Sequence, residues 1–169
     1  MGKDQLIFVE QPTSHIDMSM AFVGEKEIIL NDNKRVHQHF TPNFGMSENT
    51  ENTAISEDAV EATLEKQEVT VIRQPWGGGL KQYDFFNGEF VKSNDGEKTY
   101  FLTNGFVPKT SMLSRRHTDE VQKGQELQEQ VTAFFASKGI EVVFSDPVTA
   151  TQSLSLHGGI GCTTNSLYS

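Results

Sequence analysis

The stretch HTDEVQKGQELQEQVTAFFASKGIEVVFSD, residues 117–146, decides the fold class because it predicts a helix followed directly by a strand. Thr118 is a typical N-cap, and Gly139 is typical of the residue just beyond a helix C-terminus. The run 140–144 is β-branched and aromatic, which predicts a strand. The apolar face of the helix consists of Val121, Leu127, Val131, Phe134 and Phe135. A helix that leads into a strand indicates an α/β or α+β protein rather than an all-helical one.

The same succession of elements is predicted twice along the chain. In each half two neighbouring strands are followed by a helix and then a strand, and the first half has one more strand at its start. The predicted strands are 6–10, 16–23, 28–30, 69–72, 83–86, 99–107 and 140–144, and the predicted helices are 57–66 and 118–138. We therefore expect an α/β protein in a single domain, with two ββαβ-type modules at about 1–75 and 76–169.

Three further segments complete the prediction. Residues 31–55 are polar and rich in Asn, Pro and Gly, which predicts a long loop of the kind that is often functional. Ser56 is the expected N-cap of the first helix, whose acidic residues 57, 58, 61 and 65 predict a solvated face. Residues 153–162 alternate in hydropathy and then become glycine-rich.

Charge and hydropathy restrict the partners. The chain of 169 residues has 14 Lys and Arg against 23 Asp and Glu, a net charge of −9, and shows no basic face, so we expect no nucleic-acid partner. A cationic partner suits this field better. No apolar stretch is long enough to cross a membrane, and the N-terminus lacks the apolar core of a signal peptide, so no membrane partner is expected. These features favour a cytoplasmic location without fixing it.

The chain has one cysteine, Cys162, in the sequence LHGGIGCTTN at 156–165. An internal disulfide is therefore impossible, and the thiol is either a buried filler or a reactive centre. Glycines before it let the backbone approach a ligand closely and leave the sulfur uncovered. His157 beside this turn is a weaker candidate, since it either lines a site or caps the turn.

A second cluster, SHID at 14–17, places His15 two residues before Asp17. On a strand these two side chains would project from the same face. They would then either belong to a functional site or form part of a solvated strand edge. A thiol nucleophile needs an ionised form and a proton carrier, which His15 could supply to Cys162. A carboxylate suits the paired N–H groups of a guanidinium. The three residue types together suggest attack on a guanidinium carbon.

With SHIDMSMAFVGEKEIIL at 14–30, LTNGFVPKTS at 102–111, residues 117–146 and LHGGIGCTTN at 156–165, the chain resembles the C-terminal part of the guanidino-group-modifying superfamily, the penteins. That superfamily includes agmatine, arginine and peptidylarginine deiminases and amidinotransferases. The resemblance implies a β/α-propeller of five ββαβ-like modules around a central site. About two modules are present, so we expect a partial propeller, with further modules in a missing N-terminal part or in a second chain.

The resemblance also implies roles for individual residues. Cys162 resembles the nucleophile, His15 the general acid and base, and Asp17 the carboxylate that holds the substrate. The implied partner is a cationic guanidino compound, either a small molecule or a peptidyl arginine, and no cofactor or metal is implied. The chain differs from the family pattern at Ser14, where Gly is usual, and at Gly161, where many members have His.

The function we expect is that of a cysteine-dependent deiminase, which hydrolyses the guanidinium group of arginine or an arginine derivative and releases ammonia. One alternative is an amidinotransferase that shares the covalent cysteine step. Another is an inactive fragment or a binding subunit of a split enzyme. A papain-like protease fits less well, because its Cys precedes its His whereas His15 precedes Cys162 here.

Overall fold

The computed structural model of the chain describes residues 7–12, 16–77, 83–106 and 115–155. The chain divides into two compact units, Met1–Gly79 and Leu80–Ser169, and each unit contains one three-stranded sheet. We call these unit 1 and unit 2. The position of this chain within a larger assembly stays a prediction.

Unit 1 is a sheet of order β1-β2-β3 with helices between its second and third strands. Strands β1 and β2 are antiparallel, whereas β2 and β3 are parallel, so the helices form a crossover connection. The elements are a 3-10 turn (Ile16–Met18), β1 (Met20–Gly24), β2 (Glu27–Asn31), α1 (Asn33–Phe40), α2 (Glu48–Glu65) and β3 (Thr70–Gln74).

The core of unit 1 forms where β2 packs against α2. Ile28 and Leu30 lie two residues apart on one face of β2 and pack with Val60 and Leu64, which lie one turn apart on α2. Val69, which precedes β3, completes this cluster. All five side chains are at most 3% exposed, so the sheet and helix are joined by a dry interface.

Unit 2 repeats this topology with different side chains. Its sheet has the order β4-β5-β6, antiparallel between the first pair and parallel between the second. The aromatic rings of Phe101 on β5 and Phe135 on α3 stack with centroids 4.5 Å apart, and Phe90 on β4 lies against both. The elements are β4 (Gly88–Lys92), β5 (Thr99–Thr103), α3 (Arg115–Ala136), β6 (Ile140–Phe144) and α4 (Pro147–Ser155).

The predicted α/β class is confirmed in the described residues, where each unit has two antiparallel strands, then two helices in unit 1 or one helix in unit 2, and then a third strand. Both units also turn from helix to third strand through a left-handed residue. That residue is Glu68 in unit 1, with φ of 59°, and Gly139 in unit 2, with φ of 72°. After α2, the N–H of Glu68 bonds to the carbonyl of Glu65 and the N–H of Val69 to that of Leu64, which is the Schellman pattern of a helix end.

The prediction of a loop over 31–55 is wrong. Helix α1 begins after Asp32, whose side chain accepts a 3.0 Å hydrogen bond from the N–H of Arg35. Helix α2 begins at Glu48 with Ser47 rather than Ser56 as its N-cap. The first turn of α2 is polar and mostly exposed, and α1 buries only Asn33 and Val36, so these helix starts depend on their caps rather than on a long apolar stripe that a sequence pattern would reveal.

Two predicted strands are also wrong. Residues 83–87 are all buried but not extended, because the Asp84 carboxylate accepts hydrogen bonds of 3.0 and 3.2 Å from the N–H groups of Phe86 and Asn87 and so closes a turn. At the other end of the chain, residues 7–10 form no strand, although Ile7 and Val9 pack against the core of unit 1. The described part of 153–162 belongs to helix α4.

Candidate functional site

Three of the four predicted site residues, His15, His157 and Cys162, lie outside the described residues. Their roles and their mutual distances therefore stay predictions. Asp17 is described, and it lies in unit 1.

Asp17 lies in the 3-10 turn Ile16–Met18 and not in a strand, since β1 begins at Met20. The prediction that His15 and Asp17 share one strand face is therefore wrong for Asp17. The turn forms because the N–H of Ser19 donates a 3.0 Å hydrogen bond to the carbonyl of Ile16, which an extended chain could not do. Ser19 is fully buried and Asp17 is half-buried.

The Asp17 turn is attached to the end of β2. The N–H of Asn31, the last residue of β2, donates a 2.8 Å hydrogen bond to the carbonyl of Ser19. The turn therefore lies at the edge where the parallel strands β2 and β3 end. In α/β sheets the carboxyl ends of parallel strands are the usual place for ligands, so this edge is the candidate site of unit 1.

A buried polar cluster lies behind this edge, and the sequence did not reveal it. Glu57 was expected on a solvated helix face, but it is 0% exposed. Its Oε1 accepts hydrogen bonds from the side-chain amides of Asn31 and Asn33, both at 2.9 Å, and its Oε2 accepts one from the N–H of Asn33 at 2.9 Å. We call these three residues and Arg73 the Glu57 network.

Arg73 supplies the positive charge of this network. Its Nη2 lies 3.7 Å from Glu57 Oε2 and 3.0 Å from Asp58 Oδ1, and its side chain is only 15% exposed. Burial raises the pKa of Glu57 above its ordinary value, and the hydrogen bonds from Asn33 and Asn31 and the charge of Arg73 oppose that rise. Asn31, Asn33 and Arg73 therefore hold the Glu57 carboxylate at a buried position, where loss of hydration disfavours its ionised form.

Asn31 joins the network to the rest of the edge. Its side-chain Oδ1 accepts a 3.0 Å hydrogen bond from the N–H of Gly77, which follows the buried Trp76 after β3. The available sequence signal was the polar triplet Asn31-Asp32-Asn33 directly after an apolar strand. Only the fold shows that two of its side chains turn inward to meet Glu57.

Unit 2 has a buried asparagine in the corresponding place. Asn104 directly follows β5, is 0% exposed, and donates from Nδ2 to the carbonyl of Asp84 at 3.2 Å. Its Oδ1 has no hydrogen-bond partner among the residues that the structure describes. The next residue, Gly105, lies so close to β6 that an added Cβ would stand 2.5 Å from the carbonyl oxygen of Ser145.

The pair His37 and His39 lies in helix α1. Both ring nitrogens of His37 are engaged, Nε2 with the carbonyl of Phe44 and Nδ1 with the hydroxyl of Thr41, each at 2.8 Å. Across the described ranges, no group of three or more His, Cys, Asp or Glu side chains could hold a metal ion. None of the helices in those ranges combines the length and apolarity that crossing a membrane requires.

Comparisons of the chain with protein-family models, with curated proteins and with solved structures found no match.

Proposed function

We propose that this chain is a cysteine-dependent hydrolase of the deiminase type, acting on the guanidinium group of arginine or of an arginine derivative. The proposal is supported by the glycine-rich sequence around Cys162, by the His15 and Asp17 motif, and by the α/β architecture that the two units share. We propose further that these units are modules of a β/α-propeller whose other modules lie outside this chain.

The observation that carries the proposal is the position of Asp17. Its turn is hydrogen-bonded to the end of β2, at the edge where parallel sheets bind ligands. A half-buried carboxylate there could hold the paired N–H groups of a flat cation. The net charge of −9 would attract such a cation from solution.

The proposed reaction has two covalent steps. The Cys162 thiolate adds to the guanidinium carbon, and the carbon–nitrogen bond breaks as His15 gives its proton to the departing ammonia. His15 then takes a proton from water, the resulting hydroxide adds to the thiouronium carbon, and the carbon–sulfur bond breaks. The added hydroxyl group loses its proton as the carbon–sulfur bond breaks, and the departed ammonia takes that proton up in solution, so the products are a ureido compound, an ammonium ion and the regenerated thiolate. Asp17 holds the substrate nitrogens throughout.

The test uses 2-chloroacetamidine, which carries the flat cation, and 2-chloroacetamide, which is its neutral counterpart. Because Cys162 is the one cysteine of the chain, a single adduct in the intact mass reports on its thiol. We expect the full chain to react faster with the amidine, and His15→Ala to slow that reaction about tenfold or more, as the loss of a general base does. His39→Ala is the matched control and should react like the wild type. Equal rates with both reagents would contradict the proposal.

Turnover is measured with free arginine, agmatine, methylated arginine and an arginine peptide, by release of ammonia and formation of the ureido product. Equal amounts of the two products support a hydrolase. A product that requires an added amine and appears with little ammonia would instead identify an amidinotransferase. If labelling is selective but no compound turns over, the chain binds guanidino ligands without completing the reaction, and the hydrolase proposal fails.

A further inference from the structure

We propose that Asn31 and Glu57 are positioning residues, which together hold the Asp17 turn and the chain at Gly77 in fixed places at the end of the sheet. This inference rests on the function proposed for Asp17. Neither residue belongs to the predicted catalytic set, and neither is expected to touch the substrate.

The first step of the argument is that Asn31 contacts three separate segments with three different groups. Its backbone N–H bonds to Ser19 beside the Asp17 turn, its side-chain Nδ2 bonds to Glu57 on α2, and its Oδ1 accepts from the N–H of Gly77 beyond β3. A shift of this one residue therefore moves both the turn that bears Asp17 and the chain that follows Trp76.

The second step concerns Glu57, which determines how the Asn31 amide is oriented. A carboxylate oxygen can only accept hydrogen bonds, so Oε1 requires the NH₂ group of Asn31 to face it at 2.9 Å. The amide oxygen of Asn31 is thereby turned toward Gly77. Asn33 holds Glu57 from a second side through both its side chain and its backbone, so the carboxylate itself is fixed.

The third step is that stability alone is a weak reason for this arrangement. A fully buried carboxylate is costly to desolvate, and well-packed apolar groups often replace buried charges without loss. Val60, one turn further along the buried side of α2, shows that an apolar residue suits this helix face. What the charged network supplies, and an apolar contact does not, is a direction for each hydrogen bond.

The polarity of the Asn31–Glu57 hydrogen bond provides the test. Asn31→Asp would place two carboxylates together, and Glu57→Gln would set an NH₂ group against a donor of Asn31 or of Asn33, because both oxygens of Glu57 accept hydrogen bonds. In the double variant Asn31→Asp/Glu57→Gln the donor and acceptor are exchanged, so the bond can form again. The acceptor for the Gly77 N–H is kept. Val60→Ala is the matched control, because it destabilises the same helix through a cavity and removes no group of the Asn31–Glu57 hydrogen bond.

Two readouts are taken on the full chain. Saturation kinetics of Cys162 with 2-chloroacetamidine give the apparent binding constant, with 2-chloroacetamide as the neutral reference. We expect each single variant to weaken amidine binding about tenfold, which is the value of one good hydrogen bond. The double variant should return to within about threefold of the wild type, and Val60→Ala should leave amidine binding unchanged. Hydrogen–deuterium exchange at residues 16–20 and 75–77 should quicken in the single variants and recover in the double variant.

The inference is overturned if the single variants bind the amidine like the wild type, if the double variant stays as weak as the single ones, or if Val60→Ala weakens binding equally. A failure of the cation-binding role proposed for Asp17 looks different, because wild-type Cys162 would then show no preference for the amidine. In that case the pattern of hydrogen exchange still decides whether Asn31 and Glu57 hold the two segments. Exchange that is unchanged in both single variants would overturn the positioning role.

Discussion

A single side chain, that of Glu57, shows what a sequence pattern leaves out at the scale of the residue. It belongs to an acidic series on α2 that has the spacing of a solvated face, yet it is fully buried while its neighbour Asp58 is exposed. Its partners Asn31 and Asn33 lie more than 20 residues earlier, at sequence separations of 26 and 24. No local rule relates residues so far apart, so the network could be found only from the fold.

The burial of Glu57 predicts how stability depends on pH. Its pKa is raised in the folded state, so the folded chain holds a proton that the unfolded chain has already released. The contribution of Glu57 is therefore fully present below the pKa of the unfolded state and is lost as the pH rises through the folded pKa. We expect the free energy of unfolding of the wild type, relative to that of Glu57→Gln, to fall from about pH 4 toward neutrality.

Urea unfolding of both chains at a series of pH values measures this difference. Other titrating groups contribute nearly equally to both chains and cancel. A difference that stays constant, or that grows as the pH rises, would contradict a raised pKa for Glu57.

At the scale of the element, the sequence predicted well where apolar periodicity is strong. The β-branched run around Val71 and the long helix that ends before Gly139 are both confirmed. It failed where polar groups decide the backbone. Helix α1 buries only Asn33 and Val36 and depends on its Asp32 cap, so it has the composition of a loop. The buried run at 83–87 has the composition of a strand, but the Asp84 side chain folds it into a turn.

The two helix ends predict a stabilising substitution. Glu68 has the left-handed conformation that Gly139 has in unit 2, and a side chain there costs about 1–2 kcal/mol. We expect Glu68→Gly to raise the free energy of unfolding by about 0.5–1 kcal/mol, because greater freedom of the unfolded chain offsets part of the gain. The exposed ion pair of Glu68 with Lys26, at 3.5 Å, contributes little.

Chemical denaturation measures this effect, with Glu65→Gly as the control. Glu65 is the last residue of α2, and glycine in a helix costs about 1 kcal/mol. The two glycine variants should therefore move in opposite directions. If Glu68→Gly loses as much stability as Glu65→Gly, the left-handed conformation is not a source of strain.

At the scale of the whole molecule, the mixed α/β class of both units was predictable although they share little sequence, whereas helix α1 and strand β4 were not. The class depends on hydrophobic periodicity, which different side chains can satisfy. Unit 1 has the aliphatic pair Ile28 and Val60 where unit 2 packs Phe101 on Phe135. The proposed proximity of His15 and Cys162 rests on a resemblance, since no pattern along the chain determines a distance between its two ends.

The net charge predicts how salt affects the molecule. At −9 the folded chain repels itself, and the Debye length falls from about 30 Å at about 0.01 M salt to about 8 Å at about 0.15 M. We expect Tm to rise by about 2–4 °C over this range, which corresponds to about 1 kcal/mol for a chain of this size. Thermal melts in sodium chloride check this expectation.

The control is the pair of substitutions Glu97→Gln and Glu129→Gln, at two exposed acidic positions. With two negative charges removed, the increase in Tm should be smaller. A Tm that falls with salt would show instead that local ion pairs, such as Lys34 with Asp58 at 2.7 Å, outweigh the overall repulsion.

The Asn104–Gly105 step also bears on how the molecule ages. Asparagine before glycine deamidates when the glycine nitrogen attacks the side-chain carbonyl carbon, and that nitrogen must be free to swing inward. Here the N–H of Gly105 is bonded to Ser145 Oγ at 3.2 Å, and the Asn104 amide is tied to the carbonyl of Asp84. The native fold therefore protects Asn104 from deamidation, whereas unfolding of unit 2 allows the reaction to proceed. Deamidation converts Asn104 to a carboxylate that would have to be buried beside Asp84. A molecule that deamidates while unit 2 is unfolded therefore cannot refold to the same structure.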